Sequence, residues 1–104
     1  MEISFIYITT ENNNEAKKIG MALIESKLVA CVNIIDNMES LYMWEGKMQN
    51  SRESVLIAKT TQDKVDKVVE KVRTLHSYEC PCIISLPISG GHSPFIDWIK
   101  EEVK

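Results

Sequence analysis

Strand-like and helix-like patterns alternate along this chain in an order that restricts it to few folds. A β-rich apolar run at residues 3–10 is followed by apolar residues at helical spacing over 16–28. After a long stretch of strand character, a second amphipathic helix is predicted over 65–75 and a closing strand over 83–88. The order β-α-β-β-α-β predicts an α+β, ferredoxin-like fold, with two helices on one face of a four-stranded antiparallel sheet.

The middle stretch predicts an unusually long β-hairpin. Residues 30–44 read as one strand, Glu45-Gly46-Lys47 as the turn, and residues 54–60 as the return strand. A strand over 30–44 would be about 50 Å long, against a diameter of roughly 35 Å for a domain of this size. Its apolar tip would then project beyond the core, and we expect a partner to cover it. The alternative is a break at residues 36–39, which would leave two short strands.

Length and charge limit the other possibilities. At 104 residues the chain is predicted to be one domain, 1–104, with a short C-terminal helix capped by Ser93. Its net charge of −3 argues against a nucleic-acid or anionic-membrane surface. No apolar run approaches the roughly 20 residues that span a bilayer. Three cysteines do not form a disulfide framework, and no signal peptide is visible, so we expect a cytoplasmic location.

The residues between the second helix and the last strand carry the chain's densest set of metal-ligating side chains. His76, Glu79 and Cys80 are types that bind transition metals or exchange protons near neutral pH. Pro81 removes a backbone donor and keeps Cys80 out of helical geometry. We therefore predict an ordered elbow over residues 75–82, where any chemistry would lie. The alternative for His76 is a hydrogen-bonded histidine at the end of a helix.

The cysteines allow two interpretations each. Cys31 lies in an apolar strand, where a thiol is more often a small buried apolar group than a ligand. Cys80 and Cys82 face the same side of an extended segment and could together hold a soft cation such as Cu(I). A closed site needs two further ligands, which a neighbouring subunit could supply. A Cys–His nucleophile pair lacks a third residue to orient the histidine, so we predict that the chain is not an enzyme.

Five motifs, taken together, resemble the CutA family of divalent-cation tolerance proteins, and they lie in order along nearly the whole chain. They are residues 31–33, 42–47, 53 with 59–60, 76–81 and 98–99. The resemblance implies a ferredoxin-like fold and a tight homotrimer whose long hairpins pair edge to edge. It also implies an association with tolerance of copper and other divalent metals. One position departs from the family: Ser77 follows the histidine where proline is usual.

The elbow and the resemblance together predict the site. The predicted metal ligands are His76, Glu79, Cys80 and Cys31. The predicted cleft or interface residues are Tyr42, Trp44, Lys59, Tyr78 and Trp98. We expect copper or another divalent transition metal, zinc included, to be weakly held in clefts between the subunits of a homotrimer. The competing hypothesis is a trimeric adaptor whose clefts receive an unidentified protein or a small metabolite, with metal tolerance an indirect effect.

Overall fold

The computed structural model describes residues 2–104. Its four strands and three helices follow one another in the predicted order. They are β1 (Ile3–Thr10), α1 (Asn13–Glu25), β2 (Cys31–Trp44), β3 (Lys47–Thr61), α2 (Val65–Leu75), β4 (Ile83–Ile88) and α3 (Ser93–Glu102). Among residues 2–104, no helix has both the length and the apolar character needed to span a bilayer.

The four strands form one antiparallel sheet in the order β2-β3-β1-β4, which confirms the ferredoxin-like prediction. Ile6 of β1 lies opposite Ala58 of β3 on one side and Ser85 of β4 on the other. Alternate side chains of β1 and β3 meet the apolar stripes of α1 and α2, because successive residues of a strand point to opposite faces. The fully buried members of this core include Ile6, Ile8, Ile19, Leu23, Leu56, Val68 and Val72.

Helix α1 begins where the sequence provides a cap and lies close to the sheet at a glycine. The Asn12 side chain accepts a hydrogen bond from the backbone N–H of Glu15 at 2.9 Å. Gly20 is buried, and a Cβ there would lie 3.0 Å from Cγ2 of Val32. The absent side chain therefore lets the helix approach β2 closely, which explains a glycine inside a helix.

The hairpin is continuous, in agreement with the prediction of a single long strand before the turn. Glu45 and Gly46 form a two-residue turn with φ of 52° and 78°, the conformation of a tight antiparallel hairpin. The strand does not break at residues 36–39. Instead, the register of its pairing with β3 shifts between Ile35 and Met38. One extra residue on β2 makes a bulge there, with Asn37 at φ 58°. The longest dimension of the molecule is 44 Å.

Two boundaries differ from the sequence prediction. Strand β3 begins at Lys47 rather than near residue 54, because its polar first half is held by pairing with β2 and carries no apolar signal. Helix α3 is preceded by His92 as its cap, and Ser93 is its first residue. The N–H groups of Phe95 and Ile96 donate to the carbonyl of His92, so the helix starts one residue earlier than predicted.

The sheet face away from α1 and α2 is apolar and uncovered at the two edge strands. On β4, Ile84 and Leu86 are 53% and 49% exposed, and on β2 Ile35 is 55% exposed. Ile84 lies opposite Tyr7 on β1, so these side chains belong to one face. We call this surface the open face. Its apolar exposure adds to that of the hairpin tip, where Leu41, Met43 and Met48 are exposed as well.

Candidate functional site

The imidazole of His76 is buried and hydrogen-bonded through both ring nitrogens. His76 caps the C-terminus of α2, and its backbone N–H donates to the carbonyl of Val72 at 2.9 Å. Nε2 lies 2.7 Å from the carbonyl oxygen of Thr9, and Nδ1 lies 3.0 Å from the backbone nitrogen of Tyr78. A carbonyl only accepts and an N–H only donates, so in this geometry Nε2 is the donor, which carries the proton, and Nδ1 is the acceptor.

His76 therefore has the geometry of the second alternative, a hydrogen-bonded histidine at the end of a helix. Nδ1 is 4.0 Å from a carboxylate oxygen of Glu15, but with no proton on Nδ1 the two groups do not form an ion pair. For His76 to ligate a metal ion, one of its two hydrogen bonds would have to break. Metal binding by His76 would therefore cost the free energy of a hydrogen bond, a cost that does not arise for Glu79 or Cys80.

Ser77 makes a contact that the family's usual proline could not make. Its backbone N–H donates to Oε2 of Glu15 at 2.8 Å, and Oε1 of the same carboxylate accepts from the N–H of Glu11 at 2.9 Å. Proline has no N–H to donate. The carboxylate thus ties the elbow to the start of α1. Burial opposes its charge, yet the hydrogen bonds from Glu11 and Ser77 prevail and lower the pKa of Glu15.

We expect Glu15→Gln to destabilise the protein by about 1–2 kcal/mol at neutral pH. The amide oxygen of glutamine can accept from only one of the two N–H groups, without the assistance of a charge, and its NH2 group cannot accept from the other. Because the folded-state pKa lies below the ordinary 4.5, this stabilisation is complete above 4.5 and disappears as the pH falls through the folded-state value. Urea unfolding of both proteins at neutral and acid pH measures the difference. Glu25→Gln, at an exposed position of α1, is the matched control. A wild-type advantage that persists unchanged in acid would contradict this assignment.

Tyr78 joins the elbow to the hairpin. Its hydroxyl donates to Oε2 of Glu53 on β3 at 2.8 Å, and its ring lies 4.7 Å from that of His76 between centroids. Burial, and then the hydrogen bond to the Glu53 carboxylate, raise the pKa of Tyr78 well above its ordinary value. Tyr78 is thus a permanent neutral donor. It holds Glu53, which is only 8% exposed, at the base of the cavity described next.

Beside this contact lies an open cavity of about 690 Å³. The hairpin, β1 and the elbow all contribute to its walls. It is lined by Tyr7, Thr9, Met38, Glu39, Ser40, Leu41, Tyr42, Trp44, Glu53, Tyr78, Glu79, Cys80 and Cys82. The structure therefore brings Tyr42, Trp44 and Tyr78 together with Glu79 and Cys80, five residues that the sequence had singled out.

Three other predicted site residues lie elsewhere. Cys31 begins β2 opposite Lys59, whose Nζ is 3.9 Å from its sulfur and 2.6 Å from Oδ1 of Asn33. Lys59 is four residues along β3 from Val55, the partner of Thr9, which is roughly 13 Å. Within one chain Cys31 is therefore apart from the elbow. Trp98 stacks on Phe95 of α3 at 5.5 Å and does not line the cavity.

Metal donors are present in the cavity but do not form a closed set. Cys80 and Cys82 are free and exposed thiols, and Glu79 lines the same wall. Within residues 2–104, no three His, Cys, Asp or Glu side chains converge closely enough to hold a metal ion. A site at the elbow would therefore need donors from outside the described part of this chain.

The sequence did not reveal two acidic residues that organise the site. Glu15 and Glu53 hold Ser77 and Tyr78, yet they are 62 and 25 residues distant in sequence. Glu53 did occur within one of the motifs of the resemblance, which was its one available signal. Glu15 was hidden in the first turn of an ordinary amphipathic helix, where a carboxylate is common.

Known proteins match this chain over nearly its whole length. Residues 4–102 match the family described as CutA1 divalent ion tolerance protein. The chain is 44% identical over 101 residues to the divalent-cation tolerance protein CutA of Archaeoglobus fulgidus, covering 97% of this chain and 98% of that one. It is 39% identical over 99 residues to the chloroplastic protein CutA of Arabidopsis thaliana, covering 95% of this chain and 54% of the relative, about half its length.

Solved structures give the same result. The crystal structure of CutA1 from Oryza sativa superposes with a TM-score of 0.97 at 38% identity, covering 100% of this chain and 95% of that one.

Proposed function

Because this chain belongs to the CutA1 family of divalent ion tolerance proteins, we propose that it binds copper, or zinc, in clefts between the subunits of a homotrimer. The observation that carries the proposal is that Glu79, Cys80 and Cys82 all line one cavity. Two thiols and a carboxylate suit Cu(I), Cu(II) or Zn(II), and they suit Mg(II) or Ca(II) poorly.

The fit of the donors to a metal ion is good in type and incomplete in number. A tetrahedral site needs four ligands, and the elbow offers the two thiols and one carboxylate on an open wall. His76 would join only by giving up its bond to Thr9 or to Tyr78. We propose that a neighbouring subunit completes the site, with Cys31 of that copy as the candidate from the sequence.

Two features support the trimer. The open face and the hairpin tip both expose apolar side chains that a monomer would leave in water. The outer edge of β2 has no strand beside it in the sheet of residues 2–104, so its backbone groups are available for pairing with another copy. Trp44 and Tyr42 would then lie between subunits, next to the cavity.

The adaptor hypothesis keeps one observation in its favour. His76 has both nitrogens committed to structural hydrogen bonds, so its role in the elbow is complete without a metal. The same commitments leave no free nitrogen to act as a base for Cys80, and we propose a binding role rather than a catalytic one. Three free thiols accord with a reducing compartment, and we propose the cytoplasm.

Calorimetric titration of freshly reduced protein with Zn(II) and with Cu(I) tests the proposal. A Glu79→Gln/Cys80→Ser double variant should bind about tenfold or more weakly, since it loses a thiolate and a carboxylate. His92→Ala, on an exposed side chain outside the cavity, should bind like the wild type. Cys80→Ser alone should affect copper more than zinc, because the thiolate is the softer ligand. Equal affinities in the wild type and the double variant would remove the elbow from the site and favour the adaptor.

A further inference from the structure

Among residues 2–104, the side chains around the cavity combine acidic and aromatic character without any basic group. Glu39, Glu53 and Glu79 line it, and no lysine or arginine does. Its aromatic members are Tyr7, Tyr42, Trp44 and Tyr78. We infer that this cavity binds a small organic ammonium cation. The inference specifies the metabolite of the adaptor hypothesis and does not depend on metal binding.

The carboxylate of Glu53 provides the first argument. It is nearly completely buried, and it accepts a hydrogen bond from Tyr78 at 2.8 Å. Within residues 2–104 it forms no ion pair with a lysine or arginine, although Arg52 lines a separate cleft of about 360 Å³ that Glu53 also borders. A buried carboxylate held only by a neutral donor favours a cation as its neighbour.

The aromatic side chains provide the second argument. The hydroxyl of Tyr78 is bonded to Glu53, that of Tyr42 lies 3.3 Å from the hydroxyl of Ser51, and that of Tyr7 donates to the sulfur of Met38 at 3.7 Å. Because those hydroxyls are already hydrogen-bonded, the aromatic rings are the parts of these side chains that remain available to contact a ligand. Rings of tyrosine and tryptophan attract ammonium groups through their negative faces, tryptophan most strongly.

Size distinguishes an organic cation from a bare ion. In the single chain, a volume of about 690 Å³ lies in the range of small-molecule sites and far exceeds the space of one metal ion. A neutral ligand of the same shape would gain the apolar contacts but no charge–charge attraction to Glu53. The cation therefore has an advantage from both the carboxylate and the rings.

Tetramethylammonium chloride is the probe, titrated calorimetrically into the assembled wild-type protein. EDTA is present throughout, so that the result is independent of metal binding. tert-Butanol, which has a similar size and no charge, is the matched neutral ligand, and sodium chloride is the salt control. We expect saturable binding of tetramethylammonium, about tenfold or more tighter than any binding of tert-butanol.

Glu53→Gln should weaken tetramethylammonium binding about tenfold or more, because it removes the charge and keeps the shape. Glu25→Gln, an exposed acid on α1 outside the cavity, should leave it unchanged. If Glu53→Gln does not fold, Tyr42→Leu replaces it, with the same expected direction. Absence of saturable binding by the wild type, equal binding of tert-butanol, or unchanged binding in the folded variants would each overturn the inference. The metal titration is done without EDTA, so its result tests the proposed metal site independently of ammonium binding.

Discussion

Trp44→Ala is expected to weaken the assembly by about 3–5 kcal/mol, the cost of removing a large aromatic side chain from a buried interface. In a single chain the indole is 50% exposed, directly before the hairpin turn. An aromatic group in that position gains little within its own subunit. If a neighbour covers it, most of its packing energy belongs to assembly. Sedimentation equilibrium over a range of protein concentrations measures the loss.

The emission of Trp44 provides the independent check on that prediction. Trp98→Phe leaves Trp44 as the one tryptophan, since the chain contains two. A blue-shifted maximum in the native assembly, moving to the red on dissociation, is the expected result. Met21→Ala, at an exposed position of α1, is the control for a general effect of truncation. A red-shifted maximum in the native protein together with an unchanged dissociation constant for Trp44→Ala would show that Trp44 is exposed to solvent in the assembly.

Ile84→Arg is expected to abolish assembly at micromolar concentration while the subunit stays folded. Ile84 is 53% exposed on the open face, so a single chain can tolerate the charge by directing it into water. In an assembly the same guanidinium would be buried without a partner, which costs several kcal/mol. Circular dichroism and sedimentation velocity distinguish dissociation from unfolding.

Met21→Arg is the matched control for Ile84→Arg. Met21 is 61% exposed, but it lies on α1, on the other side of the sheet from Ile84. The same charge there should leave the assembly intact. Dissociation by both variants alike would point to a non-specific effect of charge. Retention of the assembly by Ile84→Arg would show that the open face is not an interface.

Much of the fold was predictable from local pattern because its signals are local. The valines of α2 repeat at helical spacing, and Glu45-Gly46 is typical of a two-residue hairpin turn. The first half of β3 escaped prediction because residues 47–53 are mostly polar and are held by backbone pairing, which does not depend on side-chain type. The start of α3 was placed one residue late because the His92 carbonyl, and not the Ser93 hydroxyl, receives the first N–H groups.

The site was predictable only in part, because its geometry depends on long-range contacts. The elbow residues are neighbours in sequence, and the predicted elbow lies between α2 and β4. The partner of His76, the carbonyl of Thr9, is 67 residues away and has no side-chain signature. The tautomer of His76 follows from that contact and from the N–H of Tyr78, so the sequence could not distinguish a free ligand from a committed one.

Native mass spectrometry of the reduced protein, titrated with Zn(II), tests whether the metal site is shared between subunits. We expect a trimer that takes up one metal ion per subunit and does not retain Mg(II) under the same conditions. We also expect that Ile84→Arg, folded but dissociated, loses metal binding although its own Glu79, Cys80 and Cys82 are intact. A dissociated Ile84→Arg subunit that binds zinc as tightly as the wild-type trimer would contradict a site between subunits.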